Sequence, residues 1–222
     1  MADGEADNFV RMIEKKGHFC LKCNAVNGSS KRALVAKMQE ITKAKRERAE
    51  AKGIHKTFRF MVIGIPNTGK STLINLLSGE KRAKTGDKAG VTRDVRWIRC
   101  SDFDLLDTPG TMPPSCDDQN LAKHLAYIGS INDDILHMDD ICLALLEELA
   151  QLYPEHLKER YHLTEMGTPL ELLEGACQRM GFLMRGGEYD YERGQKAVID
   201  DFRKGRLGKV TLEKANDYQE FF

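Results

Sequence analysis

An α/β fold followed by a small all-α region is predicted by three features of the 222-residue sequence. Phe58 to Ile63 is an apolar, β-rich run that passes directly into a glycine-containing loop, and a helix-forming stretch from Lys70 to Leu77 follows that loop. Val95 to Cys100 and Phe103 to Leu106 read as a second pair of strands, closed by Asp107. Beyond Pro113-Pro114 the texture changes to helical periodicity, with segments near 119–130, 139–152, 169–180 and 191–204 separated by Gly and Pro breaks. The texture change sets an expected boundary near Cys116, with an α/β domain over residues 1–115 and a helical domain over 116–222.

Composition narrows the class. Hydrophobic residues at 41% and charged residues at 31% describe a globular chain rather than a disordered or membrane-embedded one. No apolar run approaches the roughly 20 residues of a membrane-spanning helix, and the acidic opening MADGEADN lacks the apolar core of a signal peptide. These features place the chain in the cytoplasm, with no membrane partner. The formal net charge is +0, so a nucleic acid would have to meet a local basic patch. Six cysteines spread through such a chain point to reduced thiols. Cys20 and Cys23 alone are close, and no second pair completes a zinc site, so they are read as residues of a strand over 18–26.

That strand is expected to lead through the turn Asn27-Gly28 into a helix from about Ser29 to Lys52, ended by Gly53. Between Lys31 and Arg59 stand ten Lys or Arg against three Asp or Glu. The excess is either a solvated helix face or a contact surface for RNA phosphates.

The strongest chemical signal is Gly64-Ile65-Pro66-Asn67-Thr68-Gly69-Lys70-Ser71, which fits GxxxxGK(S/T) in the required strand–loop–helix setting. Glycines let the backbone N–H groups of Pro66-Asn67-Thr68-Gly69-Lys70-Ser71-Thr72, proline excepted, close on phosphate oxygens at the positive end of the following helix. Lys70 reaches toward the β- and γ-phosphates and the Ser71 hydroxyl toward Mg²⁺. Asp107-Thr108-Pro109-Gly110 ends an apolar strand, so Asp107 can hold Mg²⁺ through water and the Gly110 N–H can approach a γ-phosphate. Thr92, in the loop KAGVTRD between them, is a candidate to close over the metal. Three boxes in this order are specific for a P-loop NTPase of the GTPase type, binding GTP or GDP with Mg²⁺; Lys70, Thr92 and Gly110 are the candidate catalytic groups.

The stretches GIPNTGKSTLIN, GVTR and LLDTPG resemble the ribosome-biogenesis GTPase A family, also called YlqF, and YPEHLKERYHL, Gly186-Gly187 and GRLGKVTLE extend the resemblance from about His18 to Glu213. The resemblance implies a circularly permuted Ras-like GTPase acting in late assembly of the large ribosomal subunit, with the subunit precursor and rRNA as partners and no DNA. It also implies that Asn24-Ala25, ahead of the P-loop, correspond to the base-contacting box that normally comes last. The family's NKxD box would come earlier still, and no NKxD occurs in this sequence. Met1 is therefore expected to be an internal methionine of a longer protein, leaving an incomplete sheet with unpaired edges, an open apolar face and poor discrimination between GTP and ATP. Thr111 stands where Ras-like enzymes place a water-orienting glutamine, and Asn67 resembles an asparagine that holds a potassium ion beside the phosphates. His124 is expected on a helix surface. Leu143, Leu145, Leu146 and Leu149 are expected in a bundle core, and Arg185, Arg193, Lys196, Arg203, Lys204, Arg206 and Lys209 on an RNA-facing surface. The alternative is a non-catalytic rRNA-binding module with a residual nucleotide site.

Overall fold

The computed structural model describes residues 4–26, 28–79, 95–112 and 118–218. The chain divides into two compact units, one of residues Gly17–Pro114 and one joining Met1–Lys16 to Ser115–Phe222.

In the first unit, α2 (Lys31–Glu50) precedes β1 (Phe58–Val62), α3 (Lys70–Ser78), β2 (Arg96–Arg99) and β3 (Phe103–Asp107). The sheet order is β1-β3-β2. β1 and β3 run parallel with Phe58 opposite Phe103 and Val62 opposite Asp107, while β2 pairs antiparallel with β3 so that Arg96 lies opposite Asp107. Strand alternation then fixes the faces. Phe60, Val62, Ile98, Phe103 and Leu105 turn inward onto Leu73, Ile74 and Leu77 of α3 and Leu34, Val35 and Met38 of α2. Phe60 meets Phe103 edge-to-face at 5.8 Å between centroids. On the opposite face Met61 and Trp97 stay 62% and 48% exposed, so α2 and α3 cover only one side of the sheet.

The strand expected over 18–26 does not form, and residues 18–24 carry no regular structure. Apolar alternation makes a strand only where a neighbour supplies a ladder, and no described strand pairs with this run. The basic helix is found at Lys31–Glu50.

The second unit holds α1 (Glu5–Lys15), α4 (Gln119–Tyr127), α5 (Met138–Leu152), α6 (Pro154–Tyr161), α7 (Pro169–Met180) and α8 (Tyr191–Arg203). The starts of these helices are written in their caps. Asp118 accepts from Asn120 N and Leu121 N at 2.9 and 3.2 Å, and Thr168 and Glu171 form a reciprocal capping box ahead of α7. Leu145, Leu146 and Leu149 of α5 pack with Leu157, Tyr161, Leu172, Leu173, Val198 and Ile199 in one core, as the leucine pattern predicts. Leu143 is only partly buried at its margin.

α1 was not expected, and the sequence placed residues 1–16 with the α/β domain. It packs instead on the 3-10 turn Ala215–Tyr218, where Ala215 N donates to Glu5 Oε1 at 2.6 Å and the Phe9 and Tyr218 rings lie 6.4 Å apart. Its amphipathic face, with Phe9, Val10 and Ile13, supplies the reason.

Two further expectations change here. His124 is a clasp rather than a surface residue: Nδ1 meets Glu213 at 2.8 Å and Nε2 meets Glu148 at 2.9 Å, with 16% of the side chain exposed. The basic residues late in the chain are largely spoken for by acids. Arg203 pairs bidentately with Asp133, both contacts at 2.7 Å, and donates to Ala126 O and Tyr127 O at the end of α4, Ala126 O also accepting from Gly129 N at 3.0 Å. Arg206 bridges Asp200 and Asp201, Lys204 pairs with Asp200, and Lys196 with Glu192. Asp201 is 1% exposed; burial pushes its carboxyl up, but hydrogen bonds from Arg160 and Arg206 outweigh this and hold it below its ordinary range.

Candidate functional site

Parallel pairing of β1 and β3 puts the carboxyl ends of both strands side by side, the position at which open α/β sheets bind ligands. From β1 the chain turns through Gly64–Gly69 into α3. Asn67 adopts φ 59°, which asparagine tolerates better than other side chains, and Gly69 caps α3 at φ 89°. Leu73 N donates to Gly69 O at 2.8 Å, so the helix starts directly at the loop and its N-terminal N–H groups face out of it. Lys70 Nζ and Thr68 Oγ1 both donate to Ile65 O, at 2.7 and 2.9 Å. The loop is thus folded around one of its own carbonyls. Ser71 and Thr72 lie half-buried in the first turn of α3, while Asn67, Thr68 and Gly69 are exposed.

The segment after β3 is stitched to this loop. Thr108 Oγ1 donates to Val62 O at 2.6 Å and Thr111 N donates to Gly64 O at 3.1 Å. Gly110 lies against Pro66 so closely that a Cβ would meet Pro66 Cγ at 2.6 Å and its Cα and N at 2.7 Å. Any side chain at 110 would push the loop aside.

Asp107 is 3% exposed, and its Oδ1 has no hydrogen-bond partner among the described residues. Burial raises its carboxyl above the usual range, against the pull of Arg96 and Lys70; burial lowers the Lys70 ammonium, against Asp107. An orphaned buried carboxylate oxygen costs free energy unless a cation or donor meets it, and a hard divalent ion with oxygen ligands fits that role. Among the described residues no three His, Cys, Asp or Glu side chains cluster as a metal site, so such an ion would draw on hydroxyl and phosphate oxygens.

Asn24 is exposed; its Oδ1 accepts from Val26 N at 3.0 Å and its N donates to the Ser30 hydroxyl at 2.8 Å. Ala25 is half-buried beside it. This bend enters α2, and the adjoining Gly28 approaches Leu76 of α3. Thr92 lies outside the described residues. Sequence reasoning missed Thr108, Arg96 and the reason for Gly110. Arg96 reaches Asp107 only through the register of the β2–β3 hairpin, which the pattern of residues leaves undetermined.

Comparison with known proteins agrees with this geometry. Residues 59–170 match the family described as 50S ribosome-binding GTPase. A protein named ribosome biogenesis GTPase A from Bacillus cereus is 38% identical over 99% of this chain and 76% of its own length. The chain belongs to the ribosome biogenesis GTPase A family. A member named alike from Priestia megaterium is 37% identical over 93% of the chain and 73% of its own length. The structure titled as GDP-bound TM YlqF superposes with a TM-score of 0.67 at 23% identity, covering 97% of this chain and 80% of its own; the GNP-bound YlqF of T. maritima gives 0.62 at 22%, covering 96% and 77%. The fold is therefore that of a P-loop GTPase, α/β with a helical C-terminal region, as the ribosome biogenesis GTPase A resemblance implies.

Proposed function

We propose that this chain binds a guanine nucleotide on the loop Gly64–Ser71 and hydrolyses GTP in the cytoplasm during assembly of the large ribosomal subunit. The observation that carries the reading is the junction of Gly110 with Pro66 beside the buried Asp107 Oδ1, which has no partner among the described residues. It joins a phosphate-binding loop to a carboxylate suited to a metal. Backbone N–H groups of Asn67 to Thr72 hold the phosphates at the positive end of α3, and Lys70 exchanges Ile65 O for a phosphate oxygen. Ser71, Asp107 and Thr92 would hold Mg²⁺, which would supply positive charge to stabilise the phosphates. The Gly110 N–H senses the γ-phosphate, Asn24 and Ala25 face the base, and exposed Asn67 offers an oxygen to a potassium ion.

The test is GTP hydrolysis with and without purified large ribosomal subunits. Wild type turns over faster with subunits, and Lys70→Ala loses nucleotide binding and GTP-dependent association with the subunit. Subunit association that is indifferent to both nucleotide and Lys70→Ala would favour a non-catalytic RNA-binding module instead.

A further inference from the structure

At the end of the sheet away from the P-loop, β1 begins, β2 ends, and the C-terminal half of α2 runs past both. The three border a cleft of about 770 Å³ lined by Lys45 of α2, Lys56 and Thr57 before β1, Arg59 on β1, Arg99 at the end of β2, and Cys100 and Ser101 after it. Four cations line the cleft with one carboxylate, Asp104, which Arg59 approaches at 4.0 Å on the face of the sheet that α2 leaves open. Lys45 makes no ion pair among the described residues, and the Lys56 ammonium lies over the Phe58 ring at 5.7 Å from its centroid. Phe58 itself is buried, so it offers no ring for a base to stack on. Thr57 adds a hydroxyl of the kind that donates to phosphate oxygens, while the Ser101 hydroxyl donates to Asp102 Oδ2 at 3.4 Å.

We infer that this cleft is a contact site for the phosphodiester backbone of RNA, bound without reading sequence, at the opposite end of the sheet from the nucleotide loop. Cations contributed by α2, the segment before β1, β1 and β2 outnumber the acid of the lining and complement a line of phosphates running past the end of the sheet. The late basic residues that would compete for this role are mostly neutralised by Asp133, Glu192, Asp200 and Asp201. The choice of RNA as the source of the phosphates rests on the ribosome-assembly reading; the cationic cleft does not. Because the two sites lie at opposite ends of β1, one domain can hold nucleotide and RNA together.

The experiment is fluorescence anisotropy of a short labelled single-stranded RNA of mixed sequence, titrated with the full chain over a range of salt. Each lost phosphate contact lowers the slope of log K against log salt by about 0.7, so Lys45→Gln/Lys56→Gln lowers it by about 1.4 and weakens binding roughly 25-fold near 0.1 M salt. Lys45→Arg/Lys56→Arg keeps the wild-type slope, and all variants keep wild-type affinity for a fluorescent GDP analogue. An unchanged slope in the glutamine variant, no RNA binding by wild type, or equal displacement by poly-glutamate at matched charge overturns the assignment. Failure to bind the GDP analogue with RNA binding intact instead overturns the nucleotide reading and leaves this one standing.

Discussion

Gly110→Ala tests the junction between the two phosphate-facing segments. Gly110 does not have a positive φ, so an alanine there is not strained by its own backbone. The cost is purely steric: the new methyl would lie 2.6 Å from Pro66 Cγ and 2.7 Å from Pro66 Cα and N. Carbon contacts relax at about 3.5 Å, so the loop backbone must retreat by roughly 0.8 Å. Backbone cannot rotate away as a side chain tip can, and overpacking of this kind costs about 1–3 kcal/mol. If that strain falls on the conformation that grips phosphate, nucleotide affinity drops about 5- to 150-fold. Titration with a fluorescent GDP analogue reads the loss, and circular dichroism checks that the fold persists. Wild-type affinity together with an unchanged melting temperature would show that Gly110 and Pro66 are not in close contact.

Three other perturbations have defined outcomes. Gly69→Ala meets no neighbour within 4 Å but sits at φ +89°, so it should weaken the same analogue through conformational strain of about 1–2 kcal/mol, measured by the same titration. Asp201→Asn leaves Arg160 and Arg206 without their buried carboxylate and should cost about 3 kcal/mol in urea unfolding; a change below about 1 kcal/mol would show that the ion network is dispensable. The His124 clasp predicts a pH window. Glu213, against burial and with Glu148, holds His124 above its ordinary 6.5, so that contribution is full below pH 6.5 and is lost as pH rises through the raised folded value. Glu213 is held below its ordinary 4.5 chiefly by His124, so its contribution is full above pH 4.5 and is lost as pH falls through the lowered folded value. The melting-temperature gap between wild type and His124→Gln should be widest between pH 4.5 and 6.5. A gap that grows toward alkaline pH would contradict the clasp.

The parts of the fold legible in sequence were those set by short-range chemistry. Phe58 to Val62 followed by the glycine-bounded loop and the Lys70–Ser78 helix is local, as are the caps Asp118 and Thr168. What depended on partners far along the chain was not legible. Residues 18–24 alternate like a strand and have no described strand to pair with. α6 is too short for apolar periodicity to mark it, and its one local start signal is Pro154 at its first position. Arg203 reads as surface charge until Asp133, 70 residues away, and the end of α4 are seen to claim it. In the site, the motif gave Lys70, Ser71 and Asp107, while Thr108 on Val62 O and Gly110 on Pro66 needed the parallel register of β1 and β3.

Whether the loop Gly64–Ser71 grips the phosphates of a guanine nucleotide is decided by isothermal titration of GDP and GTP into the purified chain with Mg²⁺. Saturable binding at one site is expected, removed by Lys70→Ala with the circular dichroism spectrum unchanged. Binding that survives Lys70→Ala at wild-type strength, or no heat of binding for either nucleotide, would contradict such a grip.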